Sequence, residues 1–133
     1  MESLLPLLLL ISLTSVIGLL LHAKKGVIKR ATRVKISEGE FGGKYGSRLT
    51  ILQFSTTFCS ECRTAKAIVN DVVKDSRDIT YIEVDAESNL DLVRRVDIRS
   101  TPTTIFLDSK GFEIARAKGA PKRDQLIKAI KAI

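Results

Sequence analysis

The chain has 133 residues, 44% of them apolar, with 22 Lys/Arg against 15 Asp/Glu and a formal net charge of +7. The excess is local: residues 22–44 hold seven Lys/Arg and two acids (+5), residues 45–133 fifteen basic and twelve acidic groups (+3), and Glu2 subtracts one. That leaves room for one modest, nearly balanced domain behind a basic stretch; no basic and aromatic residues interleave, so no nucleic-acid partner is expected.

Leu4–Leu21 contains no charged residue. As a helix it would be roughly 27 Å long at about 1.5 Å per residue, close to a hydrocarbon core of about 30 Å. Pro6 falls in the first turns, where its missing N–H costs least. Nothing else in the chain is large enough to cover such a helix on all sides, so residues 1–22 are expected to form a transmembrane anchor. A cleaved signal peptide fits less well, because Glu2 is the sole ionisable side chain before the run and no Ala-x-Ala-like site comes after it. Lys24, Lys25, Lys29, Arg30, Arg33 and Lys35 come next, and by the positive-inside rule they put the rest of the chain in the cytoplasm. An extracytoplasmic domain is the alternative. The same basic flank suits anionic lipid headgroups, and His22 is an interfacial residue. Gly39, Gly42, Gly43 and Gly46 punctuate the chain beyond this flank, so residues 23–47 are expected to be a basic juxtamembrane linker.

Residues 48–133 read as the domain. Leu49–Phe54 is short, β-branched and mostly apolar, as a buried strand should be. From Ser60 to about Asp75 apolar residues recur at helical spacing through Cys62, Ala65, Val69, Val72 and Val73. Ile79–Val84 is a second strand, and Ser88–Val96 a short helix with Leu90, Val93 and Val96 inward. Thr103–Leu107 is a third strand. Asp108–Gly111 turns the chain into a fourth strand, Phe112–Ala117, antiparallel to the third because the connection is so short. Pro121 opens a last helix with Leu126, Ile127, Ile130 and Ile133 on one stripe. The order β-α-β-α-β-β-α implies an α/β fold with a mixed sheet.

The chain's two cysteines are Cys59 and Cys62, and its one histidine is His22. This set cannot close a four-ligand zinc site, and a disulfide over so short a loop would constrain little of the unfolded chain. Two thiolates could hold Cu(I), but the third ligand common in such carriers is absent. Reactive use therefore fits best, with no metal or cofactor beyond the disulfide itself. Cys59 sits where a strand hands over to a helix, and there the unpaired N–H groups and dipole of the first turn stabilise a thiolate. Its sulfur is placed to accept from the N–H of Cys62. Three-residue spacing also returns Cys62 to bonding reach, so Cys59 can attack a disulfide and Cys62 resolve the mixed disulfide. Cys62 shares the inward helix face and should be the shielded member.

Residues 49–133 resemble the thioredoxin family in element order and in two motifs. Phe58-Cys59-Ser60-Glu61-Cys62-Arg63 is similar to the family's Trp-Cys-Gly-Pro-Cys-Lys, and Ser100-Thr101-Pro102-Thr103 to its cis-proline loop. Lys118-Gly119-Ala120 looks like its glycine-containing turn. The resemblance implies a three-layer thioredoxin-like fold, with a cis peptide before Pro102 and the backbone of Thr101 free to pair with substrate; the transmembrane helix expected ahead of it lies outside the resemblance. The resemblance also implies a thiol–disulfide oxidoreductase acting on protein disulfide or dithiol clients and recharged by a thiol reductase or oxidase, expected here as a monomer held at the membrane by the N-terminal helix. Alternatives are a non-catalytic binding or assembly module and an extracytoplasmic factor of disulfide exchange or cytochrome maturation. Phe58 replaces the usual tryptophan, keeping an apolar wall without the indole N–H. Glu61 suits the helix dipole, but its charge opposes the Cys59 thiolate, while Arg63 and the helix terminus favour it. Ser60 stands where the family has glycine. Gln53 occupies the position of the family's buried aspartate and cannot take the Cys62 proton, which implies slower resolution. The family's usual first strand and helix are not evident in residues 27–47.

Overall fold

The computed structural model describes residues 4–24, 26–30 and 34–133. Glu2, Lys25 and Arg33, which enter the charge argument, lie outside these residues. The first element, α1 (Leu4–Ala23), is exposed along its whole length. The Ser12 and Thr14 hydroxyls turn back onto the carbonyls of Leu9, Leu10 and Ile11. A helix pairs its backbone groups internally and can therefore stand in lipid, and α1 is long and apolar enough to cross a membrane.

The remaining elements are β1 (Ile28–Arg30), α2 (Glu38–Phe41), β2 (Leu49–Ser55), α3 (Ser60–Val73), β3 (Ile79–Asp85), α4 (Leu90–Arg95), β4 (Thr103–Asp108), β5 (Glu113–Lys118) and α5 (Arg123–Ala132). The sheet runs β1-β5-β4-β2-β3. β2 lies parallel to β3 and antiparallel to β4, and β5 is antiparallel to both β4 and β1. This is the thioredoxin-like mixed sheet that the element order implies.

Alternation along β2 builds two cores. Leu49 and Ile51 face Val69 and Val73 of α3 and Leu126 and Ile130 of α5. Leu52 and Phe54 face Leu92 and Val96 on the other side. Every residue of β2 is buried, because helices cover both sheet faces. Gln53 shares the parity of Leu49 and Ile51 and so lies under α3.

Three expectations need correction. Residues 28–30 and 38–41 are ordered elements within the stretch read as irregular: Ile28 pairs with Ala117, Lys35 bridges to Phe112, and Ile36 and Phe41 enter the second core. A three-residue strand and a one-turn helix are too short for periodicity to register. Leu90 is exposed, because α4 starts at Leu90 rather than Ser88 and its inward stripe is Leu92 with Val96. At the C-terminus α5 begins at Arg123, and Ile133 lies beyond it, exposed.

Candidate active site

β2 ends at Ser55 and a short turn delivers the chain to Cys59, the N-cap of α3. Cys59 has extended backbone angles, and its Sγ accepts from the Cys62 N–H at 3.1 Å, as the capping argument requires. The two cysteines form a disulfide with Cα atoms 5.2 Å apart. Cys62 is 3% exposed and lies on the helix face that meets the sheet, whereas Cys59 is only partly covered. One sulfur is therefore open to a partner and the other is reached through it.

The segment before β4 closes over this pair. The Thr101–Pro102 peptide is cis, and Pro102 is buried. The Thr101 hydroxyl lies 3.9 Å from Cys59 Sγ and 3.5 Å from the Thr56 hydroxyl. The Gly119 N–H donates to the Pro102 carbonyl at 2.8 Å, joining the glycine turn to the proline loop.

Beneath the pair, Gln53 is fully buried and fully engaged. Its Nε2 donates to the Cys62 carbonyl and to Ser55 Oγ, both at 2.9 Å, and its Oε1 accepts from the Tyr81 hydroxyl at 3.0 Å. Burial, seconded by the negative charge of Glu83, raises the Tyr81 phenol well above its ordinary range. Beneath Cys62 there is thus a neutral network whose amide grips the backbone of α3.

Other residues singled out from the motifs occupy varied positions. Phe58 is 97% exposed and projects from the surface instead of walling the cysteines, since nothing in the turn folds back over it. Ser60 and Arg63 are exposed on the first turn of α3. The Glu61 carboxylate reaches across to accept from the Ala120 N–H at 3.4 Å, which ties α3 to the glycine turn. Thr56, Ser55 and Tyr81 are site residues that the sequence pattern does not mark. Strand parity could have found Ser55, two residues beyond Gln53, but Tyr81 joins through the β2–β3 register, where it lies opposite Ile51. No group of His, Cys, Asp and Glu able to hold a metal ion occurs among the described residues.

A paired, asymmetrically exposed Cys-x-x-Cys at a helix N-terminus, on a mixed sheet beside a cis-proline loop, defines a thioredoxin-like thiol–disulfide oxidoreductase. The Thioredoxin family model matches residues 34–132. Thioredoxin from Ophiophagus hannah is 29% identical over 86 residues, covering 65% of this chain and 80% of its own length. The structure of thioredoxin-2 from a malaria parasite superposes with a TM-score of 0.59 at 26% identity, over 65% of this chain and 84% of that one. A Nicotiana alata thioredoxin gives 0.58 at 26% identity, over 65% and 73%. The chain belongs to the thioredoxin family.

Proposed function

We propose that the chain is a membrane-anchored reductase of protein disulfides, in which Cys59 attacks and Cys62 resolves. The arrangement at the start of α3 carries this reading: the partly exposed Cys59 sulfur accepts from the Cys62 N–H, and Cys62 is shielded behind it. A thiolate at Cys59 would be favoured by that donor and by the helix dipole. Thr101 and Pro102 line the approach, and Phe58, projecting from the turn before Cys59, offers an apolar contact to the client. The backbone of Thr101 precedes the ladder that begins at Thr103, and an extended client segment can pair there. Ser60, Glu61, Arg63 and Gln53 modulate the rate, with Gln53 leaving water or the Cys59 thiolate to take the Cys62 proton.

The membrane part of the reading rests on α1, and the direction on its flank. A predominantly apolar helix leading into Lys24, Lys25, Lys29, Arg30 and Arg33 fits an uncleaved anchor with the domain in the cytoplasm. A cytoplasmic thiol pool keeps such a pair reduced and makes reduction the useful direction. The folded unit then begins near Ile28, ahead of position 48, and works as a monomer recharged by a dithiol reductase, with lipid held by α1 and its basic flank.

Titrating the Cys59/Cys62 pair against glutathione tests the direction. A potential near that of thioredoxin, about −270 mV, is expected. A value near about −120 mV would mark an oxidant and move the domain to the other side of the membrane. Failure to form the disulfide at any poise would leave a binding module instead.

A further inference from the structure

The exit of α1 lies against the cysteine site. The helix ends at Ala23, and by Gly26 the chain is already docked, its N–H donating to the Lys118 carbonyl at 2.6 Å. Three residue steps span at most about 11 Å. Gly26 is buried with φ +75°, and a Cβ there would strike the Ala120 carbonyl, so the position admits no side chain. β1 then extends the docking along β5. The docked strand end leads directly into the site: Gly119, next after Lys118, bonds the Pro102 carbonyl, and Ala120 bonds Glu61. Leu21 and Lys24 consequently line the same 280 Å³ cleft as Glu61, Ser100 and Thr101.

If α1 spans a bilayer, this short tether holds the cysteines at its surface, where the headgroup zone is about 5–8 Å deep on each side. Exposed side chains at the site and around the exit suit that zone. Phe58 stands free beside Cys59, and Lys24, Lys29 and Lys118 are exposed around a neighbouring cleft. An exposed phenyl ring can bury at the headgroup–acyl boundary, and lysines meet anionic headgroups.

We propose that the substrate of this site is the disulfide of an integral membrane protein, held at headgroup depth on the domain's own side of the bilayer. The inference rests on the reading of α1 as an anchor and of the pair as a reductase. The Cys59 thiolate attacks one sulfur of the client disulfide, forming an S–S bond and releasing the other sulfur as a thiolate. Cys62 loses its proton and attacks Cys59 Sγ, which releases the second client thiolate. Two electrons and two protons leave the Cys59/Cys62 dithiol for the client, and a dithiol reductant restores them. Tethering both partners in one surface raises their effective concentration over that of a soluble disulfide.

The test uses the full chain in phosphatidylcholine–phosphatidylglycerol vesicles. The chain has no tryptophan, so Phe58→Trp and, at the far end of α3, Lys74→Trp each report one place. Headgroup spin-labelled lipid should quench the Phe58→Trp variant strongly and the Lys74→Trp variant little. Equal quenching in chains that float with the vesicles overturns the proposal alone, while chains that do not float overturn the anchor reading with it.

A second measurement compares reduction of a disulfide loop placed next to the span of a single-span peptide with reduction of the same loop on a soluble peptide. Inserting about twenty Gly/Ser residues between Ala23 and Lys24 frees the domain by roughly 25 Å. The preference for the membrane-held loop should then fall at least about tenfold, with the soluble rate unchanged. An undiminished preference overturns the proposal, and reduction of neither loop by the parent chain overturns the reductase reading beneath it.

Discussion

Gln53 does two jobs that an aspartate could not do together. Its amide donates to the Cys62 carbonyl and Ser55, and its oxygen accepts from Tyr81. Gln53→Asp should therefore cost about 2–4 kcal/mol, from lost donors and a buried carboxyl. It should also shorten the lifetime of the mixed disulfide at pH values where that carboxyl is ionised. Urea unfolding and rapid-quench trapping measure the two effects, and a destabilised variant with unchanged resolution would remove proton transfer from the account of this residue. Tyr81 supplies a pH prediction. Its folded pKa is raised by burial and then by Glu83, whereas in the unfolded chain it titrates near about 10. Stability is fully present below that unfolded value and is lost as pH rises from it toward the folded one, because only the unfolded state sheds the proton. In Tyr81→Phe this part of the alkaline slope should vanish from urea midpoints measured between neutral and strongly alkaline pH.

At the scale of elements, the segment ahead of β2 packs as a part of the domain. The Ile36 N–H donates to the Gly111 carbonyl at 2.9 Å, the Glu113 N–H to the Val34 carbonyl at 2.7 Å, and the Tyr45 hydroxyl to the Ile36 carbonyl at 2.7 Å. The Ser37 N–H donates to the Glu40 carboxylate at 2.7 Å and starts α2. Phe41→Ala should cost about 3–5 kcal/mol and Ile36→Ala about 2–5 kcal/mol in urea unfolding of the detergent-solubilised chain. A mere linker would lose almost nothing. Helices α3 and α5 are joined at the surface by Asp71, which accepts from Lys74 and Arg123 and is held below the usual carboxylate range by them. Its contribution is present above the unfolded pKa of about 3.9 and disappears as pH falls through the lower folded value. Asp71→Asn should flatten the acid side of the stability profile, while salt weakens the parent's advantage.

The molecule as a whole couples a bare apolar helix to a domain that carries its redox site at the point of attachment. If α1 stays on the chain and spans, the full-length protein should remain in the membrane pellet after an alkaline carbonate wash. Release into the supernatant as a shortened chain would instead identify α1 as a cleaved signal. Gly26 is the joint in this arrangement. Any side chain there must displace the Ala120 carbonyl, and a non-glycine residue at positive φ adds about 1–2 kcal/mol.

Much of this was legible in the residues alone. The apolar run, the helical spacing after Cys59, the β-branched apolar stretch Leu49–Phe54 and the Cys-x-x-Cys at a strand–helix junction are relations between near neighbours, and local periodicity and covalent spacing determine them. The sequence by itself therefore determined the element order from Leu49 onward, the cysteine pair and its asymmetric exposure. Relations between distant residues were decided only by the tertiary structure: Tyr81 beneath Gln53, Glu61 on Ala120, Ile36 in the core, and Gly26 on Lys118. Each depends on strand register or on the path of a short segment, which arise when the sheet assembles and leave no periodic trace in the chain. The nearness of the helix exit to the cysteines is of this second kind, because β1 must pair with β5 before residue 26 can lie beside residue 118.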